Sequence, residues 1–312
     1  KMLKKNAKKK VRWSSLFLLL LVNLVIIQEL LAMELHAESA LRTAKIEGAQ
    51  HLAELKEQGV LNIKRPVTIH ANVWDCKKEI PNGCKVVHFI RHGQGFHNLL
   101  GDLYRDFGVE VDSTGADDCG PYRRPEIVDP PLTAIGRDQA KVLQPVTAKL
   151  NIDLVVVSPL CRAVQTANLA MPHLRNRGEG ASVVPWIARE DVAEASGKNL
   201  CDKRRDKADI QDDFPHLDLS DLVSEEDARW SADARETAKS VSDRGHAFLL
   251  WLRTRPESQI TVVTHSAWLF TLLQTAVICD PPELANWFLT GELRSVILSY
   301  EDDKKRKADT SL

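Results

Sequence analysis

Residues 85–98 read KVVHFIRHGQGFHN. The run Lys85 to Ile90 is short, apolar and β-rich and is bounded by Gly83 and Gly93, which predicts a buried strand. Polar groups follow at once: Arg91, His92, Gln94, His97 and Asn98, with Gly93 and Gly95 among them. Working outward, Asp153 to Val157 and Ile260 to Val263 give two more buried strands, Val183 to Trp186 a shorter one, and Leu293 to Tyr300 a fifth. Helical patterns lie between. Residues 33–60 are rich in Ala, Glu, Leu and Lys, and Thr133 caps a helix that runs to about Leu150. Ser158-Pro159 reads as the N-cap and first position of another helix, and the apolar spacing of 227–254 gives a long one. Residues 101–131 read as loop, and 201–225 as polar and irregular. Strands alternating with helices predict an α/β fold on a mostly parallel sheet covered on both faces.

The chain of 312 residues is 44% hydrophobic and 27% charged, a balance that excludes low-complexity and wholly disordered classes. Its net charge is −1, but residues 1–12 hold seven cations and no acid, so the remainder carries −8. A broad nucleic-acid-binding surface is therefore not expected. After the basic head comes the apolar run of residues 13–27, the pattern of a secretory signal or signal anchor. It predicts membrane association through 13–27 and a place in the secretory pathway; a chain in which that segment is not a targeting signal would be cytoplasmic. The expected organisation is a basic head plus signal or anchor over 1–40 and a helical stalk or N-terminal extension over 41–75. A catalytic domain over 76–300 and a charged tail over 301–312 follow. Six cysteines are present without a CxxC pair or a histidine at zinc-finger spacing, so reduced thiols are expected.

Open α/β sheets bind ligands at the carboxyl ends of their strands. Three strands here end in chemistry-bearing groups: Arg91-His92 with Asn98, Ser158 with Arg162, and Thr264-His265-Ser266. Two arginines and two histidines thus converge at one rim. Guanidinium forks match phosphate oxygens, and a neutral imidazole is a competent nucleophile toward phosphorus. Gly93 and Gly95 are expected to let a substrate approach the backbone. Arg-His-Gly alone is common by chance; the joint spacing of all three strand ends carries the reading.

That joint pattern, FIRHGQGFHN (89–98), DPPLTAIGRDQA (129–140), SPLCRAVQTA (158–167) and VVTHSAWL (262–269), resembles the histidine phosphatase superfamily, phosphoglycerate mutase-like branch. The stretch ASGKNLCDKRR (195–205) looks like the plant and fungal group. The resemblance covers about residues 84–300. It implies a three-layer α/β/α sandwich with the first and last motifs side by side, and it makes His92 the nucleophile that becomes phosphorylated. Arg91 and Arg162 then clamp the phosphoryl oxygens with Asn98 beside them, and His265 is the second histidine. The family's general acid lies shortly before a glycine after the third strand. Glu194 in AEASG fits first, and Glu190 in ARED is the alternative. No cofactor or metal is implied, since the positive charge comes from side chains.

The leading expectation is a phosphatase that hydrolyses phosphomonoesters through a phosphohistidine, acting on a small phosphorylated substrate or on a phosphoprotein. The alternatives are a phosphoglycerate mutase and a membrane-tethered phosphate-binding protein without turnover. Mutases of the family follow the acid with a His-Tyr-Gly run. The stretch here is EASG, a departure that disfavours mutase activity. The basic run Lys203-Arg204-Arg205 reads either as reaching an anionic part of the substrate or as a solvated turn.

Overall fold

A computed structural model describes residues 37–115, 120–175 and 183–302. The chain divides into two compact units, Lys1–Thr43 and Ala44–Leu312. Of the first, residues 37–43 are described and are helical. The apolar run of 13–27, Cys119 and the tail beyond Asp302 lie outside the described residues. No helix of the described residues is long and apolar enough to cross a membrane.

The second unit is built on a sheet. In chain order its described elements are α1 (44–57), β1 (Val67–Val73), β2 (Lys85–Arg91), α2 (Phe96–Asp106), α3 (Ala134–Val142), α4 (Gln144–Thr147), β3 (Leu154–Val157), α5 (Cys161–Ala170), α6 (Pro172–Arg175), β4 (Trp186–Ala188), α7 (Lys207–Asp213), α8 (Ala238–Thr254), β5 (Gln259–Thr264), α9 (Ser266–Thr275), β6 (Ile278–Asp280) and β7 (Leu293–Asp302). The strands run β4-β3-β5-β2-β7-β1-β6 across the sheet. β4, β3, β5 and β2 are mutually parallel, β7 is antiparallel to both β2 and β1, and β6 is parallel to β1.

Alternation along the strands sorts the core into two layers. Leu154, Val156, Val87, Phe89, Ile260 and Val262 face one side and pack with Phe248 and Leu249 of α8 and Trp268 and Leu272 of α9. Val155, Val157, Ile90 and Val263 face the other and pack with Ala163, Val164 and Ala167 of α5 and with Ile210 of α7. Every residue of β2 and β3 is buried, as strands covered on both faces require. At roughly 1.5–3 kcal/mol for each buried large aliphatic side chain, these two layers are the main stabilising term. The expected three-layer α/β/α sandwich with a mostly parallel sheet is the architecture observed.

Several local expectations are corrected. The compact unit spans Ala44–Leu312, and within the stretch expected as stalk or N-terminal extension Val67–Val73 is a strand of the sheet. The strand expected over Val183 to Trp186 is β4, which lies at Trp186–Ala188, later than its sequence signal. Thr133 does cap α3, its Oγ1 accepting from Gly136 N–H at 3.0 Å, but that helix yields at Leu143 to the separate turn α4. Ser158 is not an N-cap: α5 starts at Cys161, whose N–H donates to Asp129 Oδ1 at 2.8 Å. The long helix begins after Thr237, and α2 occupies the start of the stretch read as loop.

Gly93 and Gly95 are required by the fold itself. A Cβ on Gly93 would strike the Gly136 carbonyl, and one on Gly95 would press on the His97 ring. A Cβ on Gly136 would strike the Gln94 carbonyl in return. Two backbones thus meet where β2 ends and α3 begins. Gly136→Ala is expected to lower the unfolding free energy by about 2 kcal/mol or more, as overpacking against backbone does. Urea denaturation checks this, and an unchanged midpoint would count against the contact.

Candidate active site

The parallel pairing of β2 with β5 carries past the end of the strand: His92 N–H donates to Thr264 O at 2.9 Å. His92 Nδ1 lies 2.7 Å from Gly93 O. A carbonyl only accepts, so Nδ1 holds the proton and the lone pair sits on Nε2. Arg162 Nε donates to that Nε2 at 3.3 Å. Burial, then the Arg162 and Arg91 charges, hold the His92 pKa well below the ordinary histidine range, so the ring is neutral. His265, the N-cap residue of α9, sets its ring 5.0 Å from that of His92. Its Nε2 pairs with Ser158 Oγ at 2.7 Å, whereas its Nδ1 is buried without a partner. Burial followed by Arg162 depresses this ring as well.

Two guanidinium groups flank the imidazoles. Arg162 is 1% exposed and donates Nη1 to Cys201 O at 2.6 Å and Nη2 to Asp202 Oδ1 at 2.9 Å. Arg91 donates Nη1 to Phe288 O at 2.6 Å, and its Nη2 stands 3.9 Å from Glu47 Oε2. Its Nε is buried and unpartnered. Asn98 lines the same cleft and accepts Gly95 N–H on Oδ1 at 2.9 Å, which leaves its amide NH2 as the free donor end.

Glu194 also reaches the cleft. Its Oε1 accepts from Ala195 and Trp268 N–H, both at 2.9 Å, and its Oε2 from Ala267 N–H at 3.1 Å. Those α9 donors are the unpaired amides of a helix start, so a carboxylate supplied from a distant loop caps them. The competing candidate, Glu190, is tied to Arg204 Nε at 2.9 Å and is absent from the cleft lining. Arg91, His92, Asn98, Arg162 and Glu194 border one cleft, with fully buried His265 beside His92.

Residues 123–310, more than half of the chain, match the histidine phosphatase superfamily (branch 1). The chain belongs to the histidine phosphatase superfamily. Phosphoglycerate mutase-like protein 1 of Arabidopsis thaliana is 33% identical over 243 residues, covering 69% of this chain and 81% of its own length. Phosphoglycerate mutase-like protein 2 of the same plant is 30% identical over 268 residues, covering 69% and 74%. A probable phosphatase of Schizosaccharomyces pombe is 25% identical over 231 residues, covering 70% and 93%.

This histidine phosphatase has site residues that its motifs did not reveal. Arg235 joins the cleft from the loop before α8 and donates Nη1 to Asp202 Oδ2 at 2.8 Å, so one carboxylate bridges Arg162 and Arg235. Glu47 and His51 enter from α1, and Tyr122 and Trp287 from loops. Each sits far from any motif in sequence; the one available signal was the four-residue spacing of Glu47 and His51 on a helix. His97 is buried with its ring 5.5 Å from that of His92. The basic run is neither solvated nor at the cleft. Arg204 is 3% exposed and ties Glu190 to the carbonyls of Ser224, Glu225 and Glu226, while Lys203 covers the Trp230 ring at 5.0 Å.

Burial depresses His92, His97 and His265 together, so all three rings are expected to stay neutral as pH falls from 7.5 to 5.5. NMR of the ring signals checks this. An ordinary histidine would pass its midpoint near 6.5 in that window, and such a midpoint for His92 would contradict the assignment. The sign for Arg162→Leu is upward, since the lost positive charge had favoured the neutral ring.

Proposed function

We propose that this protein is a phosphomonoesterase that works through a phosphohistidine on His92. The observation that carries the reading is the oriented imidazole: Nδ1–H fixed on Gly93 O, and a neutral Nε2 facing the Arg162 guanidinium in a buried cleft. Nε2 attacks phosphorus in line with the ester oxygen. The Nε2–P bond forms as the P–O bond breaks, and the leaving oxygen takes a proton from Glu194. Water then attacks the phosphohistidine, giving its proton back to Glu194 and releasing inorganic phosphate. Charge on the equatorial oxygens is met by Arg162 and by the unpartnered Nε of Arg91. Donation from His265 Nδ1 requires the Ser158 hydroxyl to donate to Nε2, which the 2.7 Å contact permits.

Three carboxyl groups line the cleft, and their partners separate their roles. Glu47 and Asp202 stand in ion pairs with guanidinium groups, while the hydrogen-bond partners of Glu194 are backbone amides. Glu194, in no such ion pair among the described residues, is the proton carrier in this reading. Its loop is clasped by Arg244, which donates Nη1 to Asp191 O and Ala193 O, both at 2.8 Å, and Nη2 to Glu194 O at 3.0 Å. The substrate in this reading is a small phosphorylated molecule. Tethering at a membrane through residues 13–27 is supported by the sequence pattern alone.

His92→Ala is expected to lower p-nitrophenyl phosphate hydrolysis by about 10³-fold or more in the presence of EDTA. Acid-labile phosphate should be trapped on the parent and not on the variant. Residual hydrolysis at the parent rate would remove His92 from the mechanism. Glu194→Gln should cost about 10²–10⁴-fold on alkyl phosphates, whose leaving groups need a proton. On p-nitrophenyl phosphate the same variant should give a rapid burst of nitrophenolate followed by slow turnover.

A further inference from the structure

Resting on the phosphatase reading, the charges around the cleft point to the class of leaving group. Each arginine that lines it has a carboxylate beside it: Arg91 has Glu47 at 3.9 Å, and Arg162 and Arg235 share Asp202 at 2.9 and 2.8 Å. A phosphoryl group can be met by the donors nearest His92, among them the unpartnered Arg91 Nε. For a second anionic group the described lining offers neutral donors, such as the buried, unpartnered Trp287 Nε1 and the Asn98 amide, while its arginines are already paired. Glu47 lines the same cleft.

Glu47 is held firmly in that lining. It is 4% exposed, lies on α1 and accepts on Oε1 from Arg105 Nη2 at 3.0 Å and from the Tyr122 hydroxyl at 3.5 Å. One helical turn on, His51 stacks on Trp287 at 5.0 Å, and one turn further Leu55 anchors the helix in a small core with Ala267 and Trp287. The carboxylate is thus fixed by packing and by two donors and cannot swing away cheaply. Like charges within about 5 Å in a partly dry site repel strongly enough to change affinity by about tenfold or more.

We infer that Glu47 of helix 44–57 is a specificity residue: it confines this enzyme to phosphomonoesters whose leaving group bears no negative charge near the phosphorus. Hydroxylated neutral leaving groups fit, because Glu47 and Asp202 accept hydroxyl hydrogens and Asn199 lies on the same wall. Phosphoglycerates and bisphosphates do not.

The test uses the full chain and a matched pair, glycerol 1-phosphate and 3-phosphoglycerate, in which a neutral CH2OH replaces a carboxylate. The parent is expected to favour the glycerol ester by at least about tenfold in kcat/KM, and Glu47→Gln should narrow that ratio by about tenfold. Equal kcat/KM for the pair in the parent, or an unchanged ratio in a folded Glu47→Gln variant, overturns the inference. A second measurement does not need the variant or turnover. Methylphosphonate should bind the parent at least about tenfold more tightly than phosphonoacetate by calorimetry, and the reverse order overturns the inference. Hydrolysis of p-nitrophenyl phosphate separates the two levels. If it is absent, the phosphatase reading fails while the phosphonate pair still decides the charge preference; if it is present with no charge preference, this inference fails alone.

Discussion

The pairing of β2 with β5, extended by one hydrogen bond from His92 N–H to Thr264 O, is the constraint on which the site depends. A parallel pair in register brings the residues just past each strand to the same height, so His92 and His265 arrive side by side without any contact between their side chains being required. The next strand over, β3, pairs with β5 through Val157 and Val263 and delivers Ser158 to His265 and Arg162 to His92. Three strands of one sheet therefore build a four-residue constellation from positions up to 173 residues apart in sequence numbering. A shift of one register step would turn every core side chain to the opposite face, so the same hydrophobic alternation that stabilises the fold also fixes the chemistry.

Burying this many charges is costly, and the structure offsets the cost by pairing. A lone guanidinium in so dry a site loses several kcal/mol of hydration. Arg162 recovers hydrogen bonds from His92, the Cys201 carbonyl and Asp202, and Arg235 from Asp202 and three carbonyls. The histidines are handled in the opposite way. Desolvation and the nearby cations keep them neutral, which leaves the Nε2 lone pair of His92 unprotonated. Asp129 is a milder instance of the same burial: its pKa is pushed up to about 6, against the pull of Arg162, the Cys161 amide and Arg205, while it caps α5.

Much of this was legible in the sequence because strand ends announce themselves. An apolar run followed by Arg91-His92, Arg162 or His265 carries both the element and the chemistry, and Thr133 and Gly136 mark a helix start in the expected way. What stayed hidden depended on tertiary context. The strand Val67–Val73 is flanked by polar residues and is only partly buried, and Ile278–Asp280 is a three-residue edge, so neither shows a core pattern. Ser158-Pro159 has the composition of a helix start, yet Ser158 Oγ is claimed by His265, and Asp129 supplies the cap from 32 residues away. Glu47 looks like any helix-forming glutamate until α1 lays it against Arg105. Glu194 and Glu190 are only four residues apart, and only their partners tell them apart: backbone amides for one, Arg204 for the other.

The start of α9 then accounts for how His92 and Glu194 are kept together. His265 is its N-cap residue, Ser266 and Ala267 line the cleft, and the amides of Ala267 and Trp268 hold Glu194. The residue before, Thr264, receives His92 N–H on its carbonyl and donates its hydroxyl to Val192 O at 2.5 Å, in the loop that carries Glu194. His92, His265 and Glu194 are thus all referred to five consecutive residues, 264–268. These residues are themselves held by the fully buried Trp268 and Leu269 in the main core. Positional error between the reacting groups is limited by one rigid strand-to-helix junction rather than summed over several loops, and tenths of an ångström matter for in-line transfer. The proposed leaving-group wall comes from α1 and from loops, and α1 meets this junction through the small core of Leu55, Ala267 and Trp287. In this reading the sheet fixes the reaction chemistry, while α1, packed on the same junction, carries the choice of leaving group.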